Sequence, residues 1–125
     1  MPAPIIIPVY TSHGDVGAYL VYPNLHNLQG EWIGWVTSQR EVYSVHGQYV
    51  GYLTNEPRIL RKAADAYDRP RRKPPEKPTT IRPPANAPLA PLMAELNYGT
   101  IDVLKDMPDL LPPIDFGDLR EDLDY

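Results

Sequence analysis

The sequence predicts a mainly β protein: a small repeat module of four β-hairpin-like units, followed by a Pro-rich extended arm and a largely irregular C-terminal tail with short helical turns. Three observations predict it. The string Val9-Tyr-Thr-Ser-His-Gly14 recurs as Val42-Tyr-Ser-Val-His-Gly47. A third, matching stretch, Leu25–Val36, lies midway between them. Eleven of the sixteen prolines are confined to Pro70–Pro113. A unit of about 17 residues is too short for a helical repeat and suits a hairpin. The boundaries expected are 1–68 for the β-repeat head, 69–88 for a basic Pro-rich linker and 89–125 for an acidic tail carrying hydrophobic interaction motifs.

Each unit alternates in a strand-like way before its glycine and turns β-branched or aromatic after it. Gly14, Gly30 and Gly47 sit between the two runs, where a tight turn demands positive φ. Gly34 and Gly51, with Ala18 in register, fall inside strands, a placement that signals close backbone approach or a bend. Tyr19, Trp35 and Tyr52 correspond, as do Val16, Trp32 and Tyr49. Rings of this size contribute a few kcal/mol each when buried. Trp32, Trp35, Tyr49 and Tyr52 are the residues expected to form the head's core or its docking face. The fourth unit, 58–68, keeps the front half as Ile59-Leu-Arg-Lys62. Its glycine is replaced by Ala64, and its back half, Asp65-Ala-Tyr-Asp68, is polar. A head of about 65 residues is marginal for a single core, so support from a partner or self-association is expected.

Beyond the head, Arg69–Pro78 and Ile81–Pro88 are too rich in proline for a helix or a central strand. They predict a stiff polyproline-II spacer rising ~3.1 Å per residue, enough to carry the tail ~60 Å away. Pro91–Gly99 reads as two helical turns stopped by Gly99. Short apolar bursts follow between carboxylates and prolines. Leu92, Met93, Leu96, Ile101, Val103, Leu104, Leu110, Leu111, Ile114 and Phe116 are the expected partner anchors of a segment that orders on another surface.

The net charge of −4 divides unevenly. Residues 1–57 and 83–125 are acidic, whereas 58–82 hold nine cations against three carboxylates. There is no cysteine, which excludes disulfides and thiolate metal sites and fits a reducing cytoplasm, the expected location. The N-terminus lacks a secretory signal, and no apolar run nears the ~20 residues of a membrane span.

Gly30-Glu-Trp-Ile-Gly-Trp-Val36 and Gly47-Gln-Tyr-Val-Gly-Tyr-Leu53, each after a Val-Tyr-like strand, resemble the small bacterial domains called four-fold β-flowers. A weaker likeness to PRC-barrel domains rests on the Gly-x-x-Val-Gly phrase. The first resemblance covers roughly residues 5–62 and implies hairpin petals about a pseudo-four-fold axis. It implies no particular activity. Gly17-Ala18 departs from the pattern, as does the missing last glycine.

Sites of chemistry are not evident. His13 and His46 occupy equivalent turn positions, but the middle unit has Gln29 there, and turn histidines tolerate unusual backbone angles. Ser12-His13 and Ser44-Val-His46 lack a nucleophile elbow. Asp115, Asp118, Glu121 and Asp122 stand in the tail, where no rigid frame perturbs them. No cofactor, metal site or catalytic residue is expected. The function expected is a non-catalytic interaction or assembly subunit binding protein partners through head and tail. The rival is weak nucleic-acid binding by the basic stretch beside an aromatic face.

Overall fold

The computed structural model describes residues 5–64 and 69–113. Eight strands follow one another in sequence and in space: β1 (Ile7–Tyr10), β2 (Val16–Val21), β3 (Asn24–His26), β4 (Trp32–Val36), β5 (Glu41–Ser44), β6 (Tyr49–Leu53), β7 (Ile59–Lys62) and β8 (Thr100–Asp102). Every neighbouring pair is antiparallel, so the sheet is a continuous, curled meander. The protein is mainly β.

Petals one to three are β1–β2, β3–β4 and β5–β6. Their turns share one construction: Thr11, Asn27 and Ser44 donate N–H bonds of 2.8 Å to the carbonyls of Asp15, Glu31 and Gln48. Gly14, Gly30 and Gly47 close those turns at φ of 90°, 87° and 82°. Each of these petals carries a register shift next to its turn, at Val9/Tyr10, Leu25/His26 and Val42/Tyr43. A bulge of this kind bends a strand and increases its twist.

The fourth petal corrects the sequence expectation. Its first strand is β7, but its second is β8, supplied from beyond the Pro-rich arm. Lys62 pairs with Thr100, Arg61 with Ile101 and Leu60 with Asp102. The turn glycine did not become Ala64. Ala63 instead donates to the Gly99 carbonyl at 2.7 Å, and Gly99 has φ 92°. The entire arm is thus an insertion into the turn of petal four, and the fold does not stop at residue 68.

At the equivalent position of each petal's first strand the core holds a fully buried aliphatic residue, Val9, Leu25, Val42 and Ile59, each 0% exposed. Around them pack Ala18, Leu20, Ile33, Val36, Val50 and Leu53, joined by Val103 and Leu111 from the tail. The predicted anchors Val103 and Leu111 therefore fill this chain's own interior, with Leu104 and Leu110 packed against it. The physical reason is space: Gly34 and Gly17 leave room, so that a Cβ on Gly34 would lie 2.9 Å from Leu111 Cδ2 and one on Gly17 3.0 Å from Leu104 Cδ1. The marginal core of a head this small is completed in cis.

The predicted helix over Pro91–Gly99 is absent; that segment is extended up to a turn at Tyr98–Gly99. Helix α1 (Val103–Asp106) forms instead, capped by Asp102, whose side chain accepts the Lys105 N–H. A single 3-10 turn, Pro108–Leu110, follows. None of the described helices is long and apolar enough to cross a membrane.

Candidate interaction surface

The arm does not project from the head but is strapped around its petal tips. Arg72 N–H donates to the Gly47 carbonyl at 2.9 Å, and Ile81 N–H donates to the Gly30 carbonyl at 3.1 Å. Ala90 lies nearest to Gly14, and Gly99 pairs with Ala63. The contacts therefore fall at every ninth residue, 72, 81, 90 and 99. Polyproline geometry repeats every three residues, so every ninth residue returns to the same face. Burial follows that period in part, with Arg72, Pro84 and Ala87 on the same register exposed. Pro75, Pro78, Ile81, Ala90, Met93 and Leu96 face inward and are partly covered, whereas Lys73, Glu76, Thr79, Arg82, Leu89, Leu92, Glu95 and Tyr98 are exposed.

In the first three petals the strand residue after the core aliphatic lies at or beside the strap. Tyr10 Oη donates to the Pro88 carbonyl at 2.8 Å. Tyr43 lies under Arg72, whose guanidinium carbon is 5.5 Å from the ring centroid. His26 Nδ1 is 3.0 Å from the Gly30 carbonyl, the same oxygen that accepts Ile81 N–H. A carbonyl only accepts, so Nδ1 carries the proton in this bond.

His26 is 1% exposed, and desolvation pushes its pKa below the ordinary 6.5, opposed by the bond to Gly30. The unfolded chain consequently binds a proton that the folded chain resists. Stability is full above pH 6.5 and declines as the pH falls toward the lowered folded value. Urea unfolding at about pH 7.5 and pH 5.5 is expected to show a lower midpoint at acid pH, a difference that shrinks in His26→Gln.

On petals two and three, Trp32, Trp35, Tyr43 and Val45 form a second buried cluster with Tyr49 against it. Trp35 and Tyr43 stack at 5.0 Å, and Tyr43 meets Tyr49 edge-on at 5.8 Å. Arg69 covers the Tyr49 ring at 3.9 Å. Glu41 fastens both arm cations, at 3.4 Å from Arg69 and 3.6 Å from Arg72. Of the two roles expected for Trp32 and Trp35, core or docking face, the structure places both side chains in the interior: they are 5% and 9% exposed. The strap's guanidiniums cover the neighbouring Tyr43 and Tyr49 rings. Tyr49 and Tyr52 remain half-buried.

The first and fourth petals meet at a polar seam. Asp102, 1% exposed, accepts Ser12 N–H at 2.6 Å. Arg58 donates to Ser12 Oγ at 3.0 Å, to both Glu56 oxygens and to the Ala94 carbonyl. The guanidinium bonded to it holds the Glu56 carboxyl below its usual range, with burial opposing. A cavity of about 290 Å³ opens here, lined by Ser12, Arg58, Met93, Ala94, Glu95, Leu96 and Lys105. Arg58 already uses its donors within the chain, so this seam is a clasp that locks the strap to the head.

Of the predicted tail anchors, Leu92 is wholly exposed, while Met93, Leu96 and Ile101 are half-buried against their own head. Ile114 and Phe116 lie outside the described residues. His13 and His46 are exposed at the tips of different petals. Among the described residues no group of three His, Asp or Glu stands together as a metal site. Sequence reasoning missed Leu89 and Tyr98, exposed beside Leu92; the three-residue spacing of these apolar side chains was the available signal.

A curled antiparallel meander of four petals, closed by a strap, defines a non-helical repeat scaffold. Residues 7–102 match the four-fold β-flower family, a span that includes the strap and β8, and the chain belongs to that family. Neither the curated proteins nor the solved structures contain a significant match.

Proposed function

We propose that this β-flower protein is a non-catalytic protein-interaction subunit that presents the outer edge of its strap to a partner. One observation carries this reading: Leu89, Leu92 and Tyr98 are 96%, 102% and 108% exposed on a segment whose opposite face is pinned to the head. Apolar side chains so presented lose solvent only when another surface covers them. The strap is extended and already ordered by its bonds to Tyr10 and Arg58, so docking costs little conformational entropy. A proline-flanked, extended ridge suits an aromatic-lined groove on another protein. A reducing cytoplasm, consistent with the absence of cysteine, belongs to the same proposal.

The test uses the full chain as bait against the triple variant Leu89→Ser, Leu92→Ser, Tyr98→Ser. These positions touch little of the head, so thermal stability is expected to stay within about 0.5 kcal/mol. Proteins retained by the unaltered chain are expected to be lost by the variant; identical capture would contradict the proposal. The nucleic-acid alternative rests on the exposed cations of the strap. Its stacking platform is weakened, because Arg69 and Arg72 occupy the faces of Tyr49 and Tyr43. Oligonucleotide titration at several salt concentrations checks it, a steep salt dependence being its signature.

A further inference from the structure

The strap carries six exposed cations, Arg69, Arg71, Arg72, Lys73, Lys77 and Arg82, on an extended chain. Exposed segments of this kind are where endopeptidases nick a fold. Four of the six positions are closed by sequence. Arg69, Lys73, Lys77 and Arg82 each precede a proline, namely Pro70, Pro74, Pro78 and Pro83. A proline there has no N–H, and its ring crowds the residue before it, so the bond does not fit a trypsin-class cleft. Two bonds after a cation remain, Arg71–Arg72 and Arg72–Lys73.

We infer that these two bonds form a conditional cleavage site for an Arg/Lys-directed endopeptidase, closed by petal three and opened when the strap lifts from it. Arg72 belongs to both bonds, and each part of it is engaged. Its N–H donates to the Gly47 carbonyl at 2.9 Å. Its own carbonyl packs so closely on Gly47 that an added Cβ would stand 2.1 Å from the oxygen. Its guanidinium lies over the Tyr43 ring, with Nη1 3.6 Å from Glu41. Such a protease must seat the cation in a pocket and the carbonyl in an oxyanion hole, so petal three competes with it at each point. Once the strap lifts, the protease adds water across Arg72–Lys73, leaving an Arg72 carboxylate and a Lys73 ammonium; Arg71–Arg72 is hydrolysed in the same way. The two pieces stay together, because β7 pairs with β8 and Val103 and Leu111 fill the core. The cut thus frees the strap's first pin and leaves the head closed.

Limited digestion of the full chain with trypsin, followed by fragment masses, tests the gate. Rates are normalised to a small chromogenic substrate in the same solution. Cleavage between residues 71 and 73 is expected to be about 100-fold slower in native buffer than in the urea-unfolded chain, because it tracks the open population. No cut is expected after Arg69, Lys73, Lys77 or Arg82 in either state. Gly47→Ala is expected to raise the native rate at 71–73 about tenfold over Gly14→Ala, which shares the positive φ without the clash. Glu41→Gln, which releases Arg69 and Arg72, is expected to raise it severalfold. In both opened variants the strap is expected to be cut before the head is cut after Arg40 or Lys62, which separates a lifted strap from global unfolding. Native cleavage at 71–73 as fast as in the unfolded chain would overturn the inference. So would equal rates in the two glycine variants, or head cuts that keep pace with the strap cut.

Discussion

Leu111→Ala is expected to destabilise the folded protein by about 2–5 kcal/mol, whereas Leu92→Ala in the same tail changes it by less than about 0.5 kcal/mol. Leu111 is 4% exposed among Val36, Val42 and other core residues; Leu92 is 102% exposed. Truncating the first removes apolar contacts and opens a cavity beside Gly34. Truncating the second removes nothing that is buried. Chemical denaturation of the two variants measures the difference. Equal and small effects would mean that the tail is not part of the core. The expectation is strong because the head alone is too small to tolerate losing one of its few fully covered aliphatic side chains.

Gly47→Ala is the second large effect, and Gly14→Ala is its control. Both glycines turn a petal at positive φ, 82° and 90°, where any L side chain costs about 1–2 kcal/mol. Their surroundings differ. A Cβ on Gly47 would stand 2.1 Å from the Arg72 carbonyl oxygen, a distance no packing allows. A Cβ on Gly14 meets only the Ala90 Cβ at 3.9 Å. Gly14→Ala therefore carries the backbone cost alone. Gly47→Ala must in addition push the strap off petal three, breaking the Arg72 N–H bond and withdrawing two guanidiniums from Tyr43 and Tyr49. A total of about 3 kcal/mol is expected, with increased accessibility of the Tyr43–Tyr49 cluster seen as a change in near-ultraviolet circular dichroism. Equal destabilisation by the two variants would remove the strap from the account.

The petals were legible in the sequence because a hairpin is a local object. The turn glycines, the β-branched runs around them and the Gly34 and Gly51 positions follow from neighbours a few residues apart. Gly51, for instance, approaches the Leu60 carbonyl, where a Cβ would lie at 2.2 Å. The fourth petal was not legible, because its two strands are separated by residues 63–99. Thr100-Ile-Asp102 is too short and too unlike Gly30–Val36 to announce itself as a partner of β7. The strap was misread for a related reason. Proline content reveals stiffness and extension, but it does not say whether an extended chain leaves the head or encircles it. The deciding signal was the repeat of Arg72-Lys-Pro-Pro at Ile81-Arg-Pro-Pro, nine residues on, in step with the petals. Core and docking roles both stood open for Trp32 and Trp35, because a periodic aromatic pattern does not say which rings the fold buries; both lie in the interior with Tyr43 and Val45.

Amide hydrogen exchange of the full chain, followed by NMR, tests the encircling strap most directly. Within residues 69–98, Arg72 and Ile81 are the two backbone N–H groups bonded to another carbonyl among the described residues. The account predicts slow exchange at these two amides, nine residues apart, with fast exchange at Arg71, Lys73, Lys77, Thr79, Thr80 and Arg82 between and around them. Uniformly fast exchange from Arg69 to Tyr98 would contradict it, and would return the arm to the role of a free spacer.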